Sequence, residues 1–152
     1  MFSQKKILLL LFIFCHSVAF NQKLYIKKYK SLADSLSKVY QIPVKVILAV
    51  AIIESSSGTG RNAKLLNNHF GIVGKNNLIK TKGIKTMYKQ YSSDYESYLD
   101  FIRLICKKKY YKELKGDPSC EKWVKAISLQ GYSIYAESWR KVIMKTVNSM
   151  KL

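Results

Sequence analysis

Between residues 23 and 40 the apolar side chains Tyr25, Tyr29, Leu32, Leu36, Val39 and Tyr40 recur at steps of three and four, with lysines filling the positions between them. That period predicts an amphipathic helix with one covered face and one wet face. Pro43 then stands where a helix can begin without losing a hydrogen bond, and residues 44–53 carry a single polar side chain, Lys45. A helix apolar nearly all round predicts a central, buried element. Ser55-Ser56-Ser57-Gly58-Thr59-Gly60 ends it, because small hydroxyl side chains compete for backbone bonds and glycine accepts left-handed angles.

Further along, a short helix is expected over residues 61–66, and the alternation around Lys82-Gly83 in residues 78–91 predicts a β-hairpin. Ser93 with Glu96 three positions on is a capping-box pattern, and Tyr98, Phe101, Ile102 and Ile105 form the apolar stripe of the helix it starts. Two more helices follow. Residues 119–130 carry Trp123 and Ile127 before a stop at Gly131, and residues 135–150 carry Trp139, Val142, Ile143 and Val147. The expected class is α+β: a mainly helical domain with one small inserted hairpin lobe.

The beginning of the chain changes this picture. Lys5 and Lys6 precede an unbroken apolar run over residues 7–14, and Ser17-Val18-Ala19 closes it with small residues. This is the form of an export signal, expected over residues 1–19 with cleavage after Ala19, since the run is well short of the roughly 20 residues that span a bilayer. Phe14 ahead of Cys15 sets lipid attachment aside. The remaining residues 20–152 are one domain by size, acting as a monomer in the periplasm or outside the cell. Cys106 and Cys120 are then the two cysteines of an exported chain, and a disulfide between them is expected.

Lysine and arginine number 27 against 9 acids, a formal charge of +18, so the partner sought is anionic. Nucleic acid fits poorly with export, and the cations are spread along the chain and form no block. A cell-wall or envelope polymer, held by peripheral electrostatic contact, fits both facts.

Glu54 carries the most chemical information. It lies seven positions after Ile47 and four after Val50, on the face of a buried helix, at the carboxyl end where the dipole disfavours negative charge, with no cation in the next six residues. Burial and dipole both raise its pKa, as a general acid near neutral pH requires. The alternative is a carboxyl bonded to backbone or turned to solvent at a frayed helix end.

Residues 42–55, with Ile42-Pro43-Val44 and Ala49-Val50-Ala51-Ile52-Ile53-Glu54-Ser55, followed by Gly58 and then Asn67-Asn68-His69-Phe70-Gly71-Ile72, resemble the family 73 glucosaminidases. Tyr91-Ser92 with Glu96-Ser97-Tyr98, and Gly131-Tyr132-Ser133 with Tyr135-Ala136, are similar to two later motifs of that family, in the same order. The resemblance covers about residues 25–147. It implies a lysozyme-like fold, hydrolysis of β-1,4 bonds next to N-acetylglucosamine in peptidoglycan strands, and no cofactor. It places the general acid at Glu54 and a groove tyrosine, positioning a water or bonding the sugar, at Tyr132. Asn68, Phe70, Tyr91 and Tyr135 become candidate substrate-binding residues, with Asn68 holding either the loop or a sugar amide and Phe70 serving as core or as a sugar platform.

Three departures stand out. The glutamine of the family's helix is Val50 here, the Gly-Tyr motif has lost its acid, and residues 75–91 contain no Asp or Glu where many members carry a second glutamate. Asp94 and Glu96 are the nearest substitutes, but capping and a first-turn dipole contact account for both. His69, the lone histidine after residue 19, has no partner ligands, so no metal site is expected. Ser55, Ser56 and Ser57 lack a histidine and acid set to activate a nucleophile. A lytic transglycosylase on the same scaffold, and a non-catalytic basic module that binds envelope polymers, are the competing readings.

Overall fold

The computed structural model describes the backbone of residues 4–152 and the side chains of residues 19–152. The expected export signal thus lies, but for Ala19, outside the described side chains. Among the described residues no helix is long and apolar enough to cross a membrane.

A helix without a polar face has to be surrounded, and α2 (Val44–Glu54) is: every side chain from residue 46 to 52 is buried. The long α1 (Gln4–Tyr40) covers one side with Tyr25, Tyr29, Ala33 and Leu36, a stripe that ends there, since Val39 is exposed. The short α3 (Arg61–Leu66) follows the serine-glycine turn, and α5 (Asp94–Cys106) packs against α1, burying Tyr98, Phe101, Ile102 and Ile105. Ser93 caps α5 by accepting from the Glu96 N–H at 3.3 Å, while the Glu96 carboxylate reaches back to the N–H of Ser92 at 3.0 Å. The expected capping arrangement is present, reaching one residue further back. α7 (Cys120–Ile127) buries Trp123 and Ile127, and α8 (Ala136–Ser149) lays Trp139, Ile143 and Val147 along α2. Between them Ser128–Tyr132 is a wide turn broken by Gly131 at φ +79°.

The hairpin is corrected. Residues 78–82 form a five-residue helix, α4 (Leu78–Lys82), closed by Gly83 in the left-handed region, and the pairing is one isolated antiparallel bridge between Val73 and Tyr88. Backbone bonds Gly74 N–H to Met87 O, Lys89 N–H to Ile72 O and Gln90 N–H to Lys75 O continue that contact for one turn of chain. The alternating residues have no sheet to bury a face against; only Leu78 is buried between residues 72 and 90, so period two stabilises nothing.

The disulfide is corrected as well. Cys106 ends α5 and Cys120 begins α7, both as free thiols. Cys106 lies near Tyr111, whose hydroxyl donates to Tyr40 O at 3.0 Å, whereas Cys120 sits near Lys45, at the start of α2. The chain between them is not a slack loop but contains α6 (Lys109–Leu114), an element the sequence pattern did not reveal, which plugs Tyr110 into the core.

Candidate active site

Glu54 is the last residue of α2, and the serine turn behind it sets its position. The Ser55 hydroxyl donates to Ala51 O at 2.6 Å and accepts from the Gly58 N–H at 2.8 Å, while Ser56 and Ser57 both take left-handed angles. The chain therefore turns away at once and leaves the carboxyl half-buried at the helix end. Its Oε1 accepts the Trp139 indole N–H at 2.8 Å. An indole nitrogen only donates, so when Glu54 is neutral its proton resides on Oε2.

Oε2 faces Gly71. A Cβ on that glycine, which has φ +65°, would stand 3.4 Å from Oε2 and 4.0 Å from the Tyr88 ring. Burial raises the Glu54 pKa above the ordinary carboxylate value, and the Trp139 bond only partly opposes it. No described charge takes part. A carboxyl with one oxygen fixed by a donor, the other bearing a proton beside open backbone, has the features of a poised general acid.

The other expected residues divide. Tyr132 is beside the acid: its ring lies 5.3 Å from that of Trp139, and Glu54 adds to the burial that pushes its hydroxyl well above the usual tyrosine value. That hydroxyl donates to Phe70 O at 2.6 Å, so it braces the loop and keeps its proton. Tyr135 is 72% exposed and free to stack on a ring. Asn68 is fully buried and has all of its amide committed: Nδ2 donates to Ile72 O and Lys89 O, each at 2.8 Å, and Oδ1 accepts from the N–H of Phe70 and Ile72. Of its two expected roles, it fills the loop-holding one. Phe70 is core, stacked on Phe101 at 4.2 Å, and Tyr91 is buried with its hydroxyl on Asp100 at 2.8 Å. Neither presents a face to a sugar.

Behind the acid lies a second polar centre. His69, 1% exposed, bonds the Tyr25 hydroxyl through Nδ1 at 2.8 Å and Asp94 Oδ1 through Nε2 at 3.0 Å. Tyr25 also meets the Tyr98 hydroxyl at 2.8 Å, and Tyr29 donates to Asp94 Oδ2 at 2.7 Å, with Lys28 at 3.5 Å. Burial lowers the His69 pKa against the pull of Asp94, so the imidazole is neutral, with Nε2–H given to Asp94 and Nδ1 accepting from Tyr25. For Asp94, burial would raise the pKa, but the bonds from His69 and Tyr29 prevail and lower it. This explains Asp94 by three partners and not by the helix dipole alone.

No second carboxylate faces Glu54 among the described residues. Asp34, Asp94, Asp100, Asp117 and Glu137 are each in ion pairs of their own, Glu96 holds its cap, and Glu113 and Glu121 are exposed on α6 and α7. A hollow of about 170 Å³ along Phe101, Ile105, Tyr110, Gly131 and Tyr132 is not lined by Glu54. The acid opens between residues 71–88 and 132–139, two segments that carry uncovered apolar side chains, Val73 and Met87 on one, Ile134 and Tyr135 on the other. Among the described residues no cluster of three or more His, Cys, Asp or Glu is placed to hold a metal. Sequence reasoning placed Gly71 on the floor of the cleft but missed Trp139 as the partner of Glu54 and Tyr88 beside that glycine. The signal available was Gly71, a glycine in the Asn68–Ile72 motif that lies at neither helix end nor tip.

The glucosaminidase family model, described as mannosyl-glycoprotein endo-beta-N-acetylglucosaminidase, matches residues 28–152. No match is found among curated proteins. Among solved structures, the catalytic domain of the autolysin Auto from Listeria monocytogenes is 20% identical, with 98% of this chain and 95% of that chain covered at a TM-score of 0.69. The glycoside hydrolase domain of Salmonella typhimurium FlgJ is 21% identical over 84% of this chain and 86% of that one, at 0.65. A chain of a type VI secretion system effector-immunity complex from Pseudomonas protegens is 22% identical over 84% and 92%, at 0.62. These likenesses establish a shared, mainly helical fold.

Proposed function

Because the chain belongs to the glucosaminidase family, we propose that it is a peptidoglycan hydrolase that cuts β-1,4 bonds next to N-acetylglucosamine outside the inner membrane, with Glu54 as general acid. The observation that carries this reading is the Glu54 carboxyl, raised in pKa by burial, with Oε1 held by Trp139 and Oε2 left to carry the proton. Oε2 gives that proton to the glycosidic oxygen as the bond to the anomeric carbon breaks through an oxocarbenium-like state.

The group that completes the reaction comes from the substrate. With no second carboxylate among the described residues, the 2-acetamido oxygen attacks the anomeric carbon as the leaving oxygen takes the Glu54 proton. Water then opens the cyclic intermediate and returns a proton to Glu54, retaining configuration. Water activated by Tyr132 is the weaker route, since a hydroxyl that donates to Phe70 O and is held neutral is a poor base. Tyr132 and Trp139 position the acid, and Tyr135 offers its ring to a sugar face.

The test is digestion of purified walls followed by mass spectrometry of the fragments and proton NMR of the new reducing end. N-acetylglucosamine at the reducing end with an initial β-anomer is expected. An initial α-anomer overturns the acetamido route, an anhydro sugar makes the protein a transglycosylase, and absence of cleavage leaves a binding module.

A further inference from the structure

We propose that the excursion between Gly71 and Tyr91 is a docking rim for carboxylates carried on the glycan strand, with Lys75, Lys80, Lys82 and Lys85 as its contacts. The proposal rests on the hydrolase reading above and names the substrate feature that site selects.

From residue 55 to residue 93 the chain holds no Asp or Glu but has Arg61, Lys64, Lys75, Lys80, Lys82, Lys85 and Lys89. Five lysines are paired in place: Lys28 with Asp94, Lys30 with Asp34, Lys89 with Asp100, Lys122 with Asp117 and Lys141 with Glu137. Lys75, Lys80, Lys82 and Lys85 are all exposed and in no ion pair among the described residues. Four like charges in eleven residues repel one another, so the fold must hold them there. It does: Asn76 donates to Thr86 O at 3.0 Å and Tyr88 O at 2.9 Å, and the Gln90 side chain accepts from the N–H of Asn77.

The rim is joined to the chemistry at both ends. The excursion leaves at Gly71, which faces Glu54 Oε2, and returns past Tyr88, whose ring lies beside the same glycine. A strand bound at the acid and running along the excursion would meet these lysines. Yet the cations stop short of the acid itself: the causes of the Glu54 shift are burial and the Trp139 bond, with no cation among them. Charge placed on the rim attracts an anion within a Debye length of about 8 Å without stripping the proton from the acid. The occupant with matching charge, on a polymer that reaches the acid, is a glycan whose side groups end in carboxylates.

The experiment compares cleavage of native walls with walls whose carboxyls have been converted to neutral amides. For the wild type, kcat/KM is expected to fall about ten-fold on amidation, the size of a few exposed ion pairs acting together. In the variant Lys75→Gln/Lys80→Gln/Lys82→Gln/Lys85→Gln the native-to-amidated ratio is expected to drop near one. A control with the same charge change, Lys109→Gln/Lys112→Gln/Lys115→Gln/Lys125→Gln, is drawn from α6, its C-cap and α7, outside the excursion, and keeps the wild-type ratio. Equal shifts in both variants, or no wild-type preference, overturn the proposal. So does a preference that vanishes when phosphodiester polymers are stripped from the wall, since the partner is then a phosphate chain. Co-sedimentation of Glu54→Gln protein, with and without the rim substitutions, on the same walls reads docking without cleavage. A rim effect on binding by a wild type that cuts neither wall upholds the rim and refutes the hydrolase.

Discussion

Two half-hidden acids, Glu54 and Asp94, behave in opposite ways. Asp94 has both oxygens engaged, by His69, Tyr29 and Lys28, and its pKa is lowered; Glu54 has one oxygen engaged, by Trp139, and its pKa is raised. A polar centre whose every donor and acceptor is matched stabilises one structure. A carboxyl left one partner short holds a proton it can give. With Glu54 as the proposed acid, scaffold and chemistry differ in this molecule by hydrogen-bond completeness more than by burial.

The largest effect that tests this contrast is at Glu54. Glu54→Gln keeps the volume and the Trp139 bond but has no acidic proton, so wall cleavage is expected to fall about a thousand-fold with the fold intact. Residual activity above a tenth of wild type removes Glu54 from the acid role. Asp94→Asn and Glu96→Gln are expected to spare most of the activity of the folded protein. A loss as large as that of Glu54→Gln, in either one, makes it the second carboxylate and breaks the contrast.

Next comes the matched centre. His69→Ala leaves Asp94 and the Tyr25 hydroxyl short of partners and opens a cavity, and a loss of about 3 kcal/mol in urea unfolding is expected. A loss below about 1 kcal/mol means that water replaces the imidazole and the centre is not a scaffold.

A smaller effect is expected at Trp139→Phe. The indole bond favours the charged carboxylate, so removing it raises the Glu54 pKa further and moves the alkaline limb of kcat to higher pH, while looser placement of the acid lowers kcat by about ten-fold. A fall in kcat with no movement of the limb reduces Trp139 to packing.

The smallest effects are in the pH dependence of stability, where the two centres carry opposite signs. A raised carboxyl costs stability above its folded pKa, and that cost disappears as pH falls to the ordinary value of 4.5, so any stability gained by Glu54→Gln is greatest at neutral pH and gone in acid. A histidine with lowered pKa contributes fully above its ordinary value of 6.5 and loses that contribution as pH falls toward the folded value. The gap between wild type and His69→Ala is therefore expected to narrow below pH 6.5. Thermal unfolding of the three proteins across pH 4–8 measures both trends.

The buried helix, its acid, the Ser93 cap and the stripes of α5, α7 and α8 were legible because each is a local pattern that burial then rewards. The 78–91 segment was misread since Ile79, Thr81, Ile84 and Thr86 alternate like a strand but have no sheet to lie on. α6 escaped notice because six residues are too few to show a period. The Glu54–Trp139 bond spans 85 residues, and Trp139 served its own helix's apolar stripe equally well, so nothing in the sequence pointed to its second role. Asn68 was readable as polar and important, but only the geometry shows that its amide has no capacity left for a sugar.

The clamps at the foot of the 71–91 excursion have a consequence for how this enzyme can diversify. The Val73–Tyr88 bridge and the two bonds from Asn76 close the segment at its base, so residues 77–85 hang from a fixed frame as an interchangeable cassette. Their length, charge and helical content can be rewritten while Gly71 stays against the acid and Tyr88 beside that glycine. New wall preferences are then open to the enzyme through a single short stretch of the gene, leaving the chemistry inherited unchanged.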